Sequence, residues 1–288
     1  MKKTTELRTL LQGKEILIAP GCYDAMSARL IQEAGFRVIY ATGAGISNSQ
    51  FGFSDVGLTT QTEILEQVRR IVNVVDRPVM VDVDTGYGNV LNLIRTVKEF
   101  ERAGAAALQI EDQTFPKKCG HFEGKDVVAQ EEMVNKIKAA ADTRVDGDLI
   151  IIARTDARAV FGIDEAIERA HAYVEAGADV IFVEAPETEE EIRRIAHEIS
   201  VPKVANMVEG GKTPLRSARE LEALGFQVAL FANCVLRSSV KAIQRTLKHL
   251  MERGSTTEIL DDMITMKERN RITGLDEVYR LEKKYAVK

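Results

Sequence analysis

Eight short apolar runs, most followed by a longer stretch of helical periodicity, leave this chain few folds to adopt. The runs cover residues 16–19, 38–41, 79–83, 105–110, 149–153, 180–183, 203–205 and 228–231. They are apolar nearly throughout rather than alternating, as expected of parallel strands covered on both faces. Amphipathic segments follow at 61–75, 90–103, 131–143, 164–176 and 217–224, and Ala-Gly or Leu-Gly pairs ending at Gly35, Gly104, Gly177 and Gly225 supply stops. Thr213-Pro214 has the form of an N-cap with proline at the first helical position. Eight such units predict an α/β protein, a (β/α)8 barrel of the TIM type. A doubly wound open sheet is the alternative. The barrel is assigned to 1–254, and 255–288 to a C-terminal helical arm of the same domain. That arm contains two charged amphipathic stretches, 257–270 and 274–285, which form either a surface cap or a contact with another subunit.

Length and charge narrow the function. At 288 residues the chain suits one barrel, and a net charge of −5 argues against nucleic acid or an anionic membrane as a principal partner. The three cysteines are dispersed and odd in number, which predicts no disulfide framework and a reducing compartment. No signal-peptide core and no run approaching about 18 apolar residues is present. A cytoplasmic enzyme is expected.

Nearly every run ends in polar residues, and parallel barrels build their chemistry at that end of the strands. The clusters are Thr42-Gly43-Ala44-Gly45, Asp82-Val83-Asp84-Thr85-Gly86, Glu111-Asp112, Arg154-Thr155-Asp156, then Glu184, Asn206 and Asn233. Asp82 and Asp84 are two apart in an extended segment, so their carboxylates share a face and repel unless a cation or proton lies between them. Mg2+ suits such oxygen ligands, with Mn2+ possible, and Glu111 on the adjacent strand reaches the same ion. The alternative is that one aspartate caps the following helix. Zinc fits poorly, because Cys119 and His121 have no further Cys or His at ligand spacing. Arg154 suits a substrate carboxylate, or an ion pair with Glu184 or Asp156; the two roles are compatible. Cys119 stands in Lys117-Lys118-Cys119-Gly120-His121, where neighbouring cations favour a thiol that exchanges protons near neutrality. A covalent nucleophile is the less favoured reading. Cys22 and Cys234 read as packing residues. Gly86-Tyr87-Gly88 and Gly211-Lys212-Thr213 imitate nucleotide loops, but Leu91 and Asn206 stand where each motif needs a glycine.

Read together, six motifs resemble the isocitrate lyase/phosphoenolpyruvate mutase superfamily over essentially the whole chain. They are Tyr40-Ala41-Thr42-Gly43, Asp82 to Gly88, Ile110-Glu111-Asp112-Gln113, Lys117 to His121, Ala153 to Ala157 and Asn206 to Pro214. The resemblance implies a barrel whose final helix is exchanged between subunits of a dimer of dimers, a homotetramer. It implies Mg2+ held by Asp82 and, largely through water, by Asp55, Asp84 and Glu111. Thr42, Gly43, Ala44 and Arg154 would then bind carboxylate or carbonyl oxygens, with Glu184, Asn206 and Asn233 beside them and Tyr40 as a base. The loop carrying Lys117, Cys119, Gly120 and His121 would close as a lid. That loop is similar to the one in C–C lyases acting on methylisocitrate or dimethylmalate, and in oxaloacetate hydrolase. The expected reaction is retro-aldol cleavage of a 2-hydroxy dicarboxylate to a 2-oxo acid and a carboxylate, with Cys119 as proton donor. Two segments depart from methylisocitrate lyase: Gly210 replaces an aromatic residue, and 231–237 is closer to the phosphonate mutases. Oxaloacetate hydrolysis or decarboxylation and P–C bond chemistry are therefore the alternatives.

Overall fold

A computed structural model describes residues 1–286 except 121 and 123. Eight parallel strands close on themselves in sequence order: β1 (Leu17–Cys22), β2 (Ile39–Ala41), β3 (Val79–Asp82), β4 (Ala107–Glu111), β5 (Ile150–Thr155), β6 (Val180–Val183), β7 (Lys203–Asn206) and β8 (Val228–Phe231). Closure is made by β1 against β8, in register from Leu17 opposite Val228 to Pro20 opposite Phe231. The fold is therefore the (β/α)8 barrel, not the open sheet. Two strands, β4 and β5, run further than the apolar pattern marks, since Glu111, Arg154 and Thr155 still pair across the sheet. The sheet thereby carries charged side chains rigidly into the mouth.

Helix α1 (Lys3–Leu11) precedes the barrel, and Leu7 and Leu11 join the cluster of side chains inside it, with Leu17, Val38 and Met80. This helix stoppers the end opposite the polar clusters. The connecting helices are α2 (Ala25–Glu33), α3 (Gly43–Ile46), α4 (Gln61–Val72), α5 (Val90–Arg102), α6 (Gln130–Thr143), α7 (Arg158–Phe161), α8 (Ile163–Glu175), α9 (Glu189–Glu198) and α10 (Ala218–Leu224). Their apolar faces and the outward side chains of the strands form the larger core. Capping boxes open α2, α4, α5, α9 and α10, so local hydrogen bonds fix where these helices begin. Ser217, not Thr213, caps α10; its hydroxyl accepts from Glu220 N at 3.3 Å.

The chain divides into two compact units, Met1–Leu236 and Arg237–Lys288. The second contains most of α11 (Cys234–Arg253), a 3-10 segment at Thr257–Asp262, α12 (Met266–Ile272) and α13 (Leu275–Tyr285). The stretch 257–270 is thus broken rather than one helix, because Thr265 caps a new one and accepts from Glu268 N at 3.1 Å. Arg245 binds Asp262 at 2.9 Å, and His249 meets Glu258 at 3.0 Å. Among the described residues no helix is long and apolar enough to cross a membrane.

Candidate active site

At the carboxyl end of the barrel, residues at the ends of seven strands and on two loops face a single cavity. Tyr40, Thr42, Ala44, Asp55, Asp82 and Glu111 form one side. Arg154, Glu184, Asn206 and Asn233 form the other, and Lys117, Cys119 and Gly120 cover it. Gly43 and Asp84 adjoin it: a Cβ on Gly43 would lie 3.1 Å from Asp82 Oδ2 and 3.4 Å from Asp84 Oδ1. His121 lies outside the described residues. The polar clusters of the sequence therefore converge.

Asp82 and Asp84 meet by a different route from the one expected. Strand β3 ends at Asp82, and Asp84 adopts a left-handed φ of 49°, so a turn rather than strand alternation brings it back. Its backbone N–H donates to Asp82 Oδ1 at 3.2 Å. Neither aspartate caps a helix, since Asn89 caps α5 and accepts from Leu91 N at 2.9 Å. Lys136, buried on α6, donates to Thr85 O at 3.3 Å and holds the turn from outside.

Charge in this corner is unbalanced. Burial, then repulsion from Asp84, pushes Asp82 up to about 6, although Lys117 and Arg154 pull the other way. Burial raises Glu111 well above the carboxylate range against the pull of Arg154, and its buried Oε1 has no hydrogen-bond partner. The Lys117 ammonium pairs with Asp55 and lies 2.7 Å from Asp84 Oδ1. Burial opposes its charge, but Asp84 and Asp55 outweigh that and hold it firmly protonated. Among the described residues no three such groups stand ready-formed around an ion. Even so, a set of oxygen donors that includes an orphaned carboxylate oxygen and a carboxyl pushed up to about 6 fits a hard divalent cation.

Tyr40 is buried and donates its hydroxyl to Gln109 Oε1 at 2.8 Å, while Gln109 Nε2 reaches Asp82 Oδ1 at 3.4 Å. Burial and the charge of Asp82 push the phenol well above its usual range. Gln109 is a site residue that the sequence reading passed over, although a lone amide within an otherwise apolar strand was the signal. Phe182, Val208 and Leu230 also line the cavity and gave no signal, being indistinguishable from core residues.

Arg154 is a hub. Its Nε and Nη2 donate to Asp156 at 2.9 and 3.1 Å, Nη2 lies 3.3 Å from Glu184, Nε lies 3.5 Å from Glu111, and the guanidinium stands 5.2 Å from the Phe182 ring centre. The turn after β5 is pinned from behind by buried Asp112. Its carboxylate accepts from Thr155 Oγ1 at 2.7 Å, Asp156 N at 2.8 Å and Tyr173 OH at 2.8 Å.

The cysteine loop is seated. Cys119 N donates to Asp55 O at 3.1 Å, and Lys118 N to Gln113 Oε1 at 2.9 Å. Gly120 packs so closely that a Cβ there would stand 2.6 Å from Arg154 Nη2 and from Glu184 Cδ. The free volume left beneath is about 30 Å3. That holds a water or so, not a dicarboxylate, so the loop is shut and must open to admit one.

The family described as phosphoenolpyruvate phosphomutase matches residues 7–251. A 2,3-dimethylmalate lyase from Eubacterium barkeri is 48% identical over 286 residues, covering 99% of each chain. A 2-methylisocitrate lyase from Aeropyrum pernix is 45% identical over 262 residues, 91% of this chain and 84% of that one. Among solved structures, oxaloacetate acetylhydrolase in complex with 3,3-difluorooxalacetate superposes with a TM-score of 0.95 at 34% identity, covering 100% of this chain and 98% of that one. A phosphonopyruvate hydrolase holding oxalate and Mg2+ superposes with a TM-score of 0.91 at 30% identity, covering all of both chains.

Proposed function

The chain belongs to the phosphoenolpyruvate mutase/isocitrate lyase superfamily, and from that premise we propose that it is a carbon–carbon lyase dependent on Mg2+, or on Mn2+ in its place. Its substrate class is a substituted malate or methylisocitrate-like 2-hydroxy dicarboxylate, cleaved to a 2-oxo acid and a carboxylate. One observation carries this reading: the loop places Cys119 in the same closed cavity as Asp82, Glu111 and Arg154.

Asp82, with Asp55, Asp84 and Glu111 around it, would hold the metal ion. When bound, the ion supplies charge neutralisation and Lewis acidity at the 2-oxygen and its adjacent carboxylate. Arg154, already oriented by Asp156, presents donors to a carboxylate, and Thr42, Gly43 and Ala44 offer the capped start of α3. At rest Tyr40 is a proton donor; it becomes a base only as the tyrosinate, after compensation of the Asp82 charge lets its phenolic proton leave to solvent through the open loop, and it then takes the substrate's hydroxyl proton. The electrons of the breaking C–C bond pass to the departing carboxylate as an enediolate. Cys119 then delivers the thiol proton to that carbon, and the resulting thiolate recovers, through solvent when the loop opens, the proton held by Tyr40, which restores thiol and tyrosinate together. Lys117 holds Asp55 and Asp84 in place and lends positive charge beside the developing anion.

The test is a panel of 2,3-dimethylmalate, 2-methylisocitrate, oxaloacetate and phosphonopyruvate with Mg2+, read as pyruvate, oxalate or phosphoenolpyruvate formed. Lyase turnover of one of the first two is expected, with Cys119→Ser lowering kcat by on the order of 10²–10⁴ and leaving Mg2+ binding intact. Turnover of oxaloacetate alone would assign the hydrolase reaction, and turnover of the phosphonate alone would assign P–C chemistry. Full lyase activity in Cys119→Ser would remove the thiol from the mechanism.

A further inference from the structure

Lys125 closes the cysteine loop from its far side, and the mechanism above leaves it without a role. Its side chain is only 2% exposed. The ammonium donates to Gly120 O and, at 2.9 Å, to Asp156 Oδ1. An ammonium taken this far out of water is costly unless it is paired, so its burial marks a specific contact. Asp156 is wholly buried and divides its carboxylate between two cations, Lys125 and the Arg154 fork. Burial alone would raise this carboxyl, but Arg154 and Lys125 hold it down at about 2. One side chain therefore ties the backbone beside Cys119 to the carboxylate that orients the substrate-binding arginine. Gly120, the residue Lys125 pins, lies where the backbone has no room for a Cβ against Arg154 and Glu184.

We propose that Lys125 is a positioning residue, a latch that seats the Cys119 loop by tying Gly120 O to Asp156, the carboxylate partner of Arg154. The functional half of this proposal rests on the lyase reading; the latch itself does not. Without the ammonium, Gly120 O and one side of Asp156 lose their common donor. The loop then opens more often, while Asp156 keeps its pair with Arg154.

The test reads the loop apart from catalysis. In the resting protein, alkylation of Cys119 by iodoacetamide is followed by peptide-resolved mass spectrometry in wild type, Lys125→Gln and Lys125→Ala. Protection should fall on the order of tenfold in Lys125→Ala and less in Lys125→Gln, which keeps a neutral donor. Added ethylammonium should restore protection to Lys125→Ala, which it cannot do for a fold that is generally loosened. With an active substrate, kcat should fall more than KM rises, because the latch acts after binding. Equal alkylation rates in all three proteins would overturn the latch, as would increased labelling that ethylammonium does not reverse. If Lys125→Ala fails to fold, the decision passes to Lys125→Gln, where wild-type protection would overturn the proposal. A wild type inactive on every candidate substrate would sink the lyase reading and leave the labelling result standing.

Discussion

Asp82 shows how far this pocket departs from an ordinary protein interior. Native carboxylates commonly have lowered pKa values, yet this one is pushed up to about 6 from an ordinary 3.8. Between those values the folded chain binds protons that the unfolded chain has released. The group's contribution to stability is thus present at low pH and is lost as pH rises from about 4 to about 6. A divalent ion that bound the ionised form would reverse the penalty. Thermal melts in chelator should show this declining contribution, and Mg2+ should raise the melting temperature more at pH 7 than at pH 4.5. A Mg2+ effect of equal size at both pH values would contradict the placement of the ion on Asp82. At this scale the sequence was legible wherever a charged residue ended an apolar run, as at Asp82, Glu111 and Arg154, because burying such a residue is costly without a purpose. Lys125 was not legible. Its partner lies 31 residues away, and nothing local distinguishes it from a surface lysine.

Among the elements, the strands were read closely because continuous apolar runs have few other uses, and their polar ends were underestimated for the same reason. Helix α3 and the π-turn Ser47–Phe51 were not foreseen. Two glycines in four residues argue against a helix, and it forms because Thr42 caps it, accepting from Gly45 N at 3.2 Å. The loop at Asp55, which follows, entered the sequence reading only through family resemblance; the structure brings it against Cys119 through a backbone hydrogen bond. The seating of that loop leaves no room at Gly120. Gly120→Ala should leave the melting temperature near that of the parent and cost about a hundredfold in kcat/KM, since displacements of about 1 Å at a reacting group have effects of that size. A fully active Gly120→Ala would mean that the loop need not seat this closely. Its effect should be separable from that of Gly43→Ala, which crowds the acids instead.

For the molecule as a whole, the order of the eight units was legible, and their number favoured closure over the open sheet, which the structure bears out. The division at Leu236 and the break within 257–270 were not, since amphipathic periodicity does not show where one helix yields to another. In the second unit Val240, Ile243, Leu247 and Leu250 recur at helical spacing on α11 and are 43–59% exposed. Such a stripe is expected to be covered in solution, and we propose a homotetramer of helix-exchanged dimers. Light scattering should give four chain masses, and a chain ending at Gly254 should give fewer; a monomeric full-length protein would refute the assembly. The barrel itself has a stopper of leucines at one end and a shut loop at the other. Once the loop reseats over a bound dicarboxylate, the substrate itself fills the space, and a carbanion formed there has almost no hydrogen source except the surrounding walls. The handedness of the new C–H bond is then set by which wall carries the acidic hydrogen, and a product made in heavy water should be labelled on one face only.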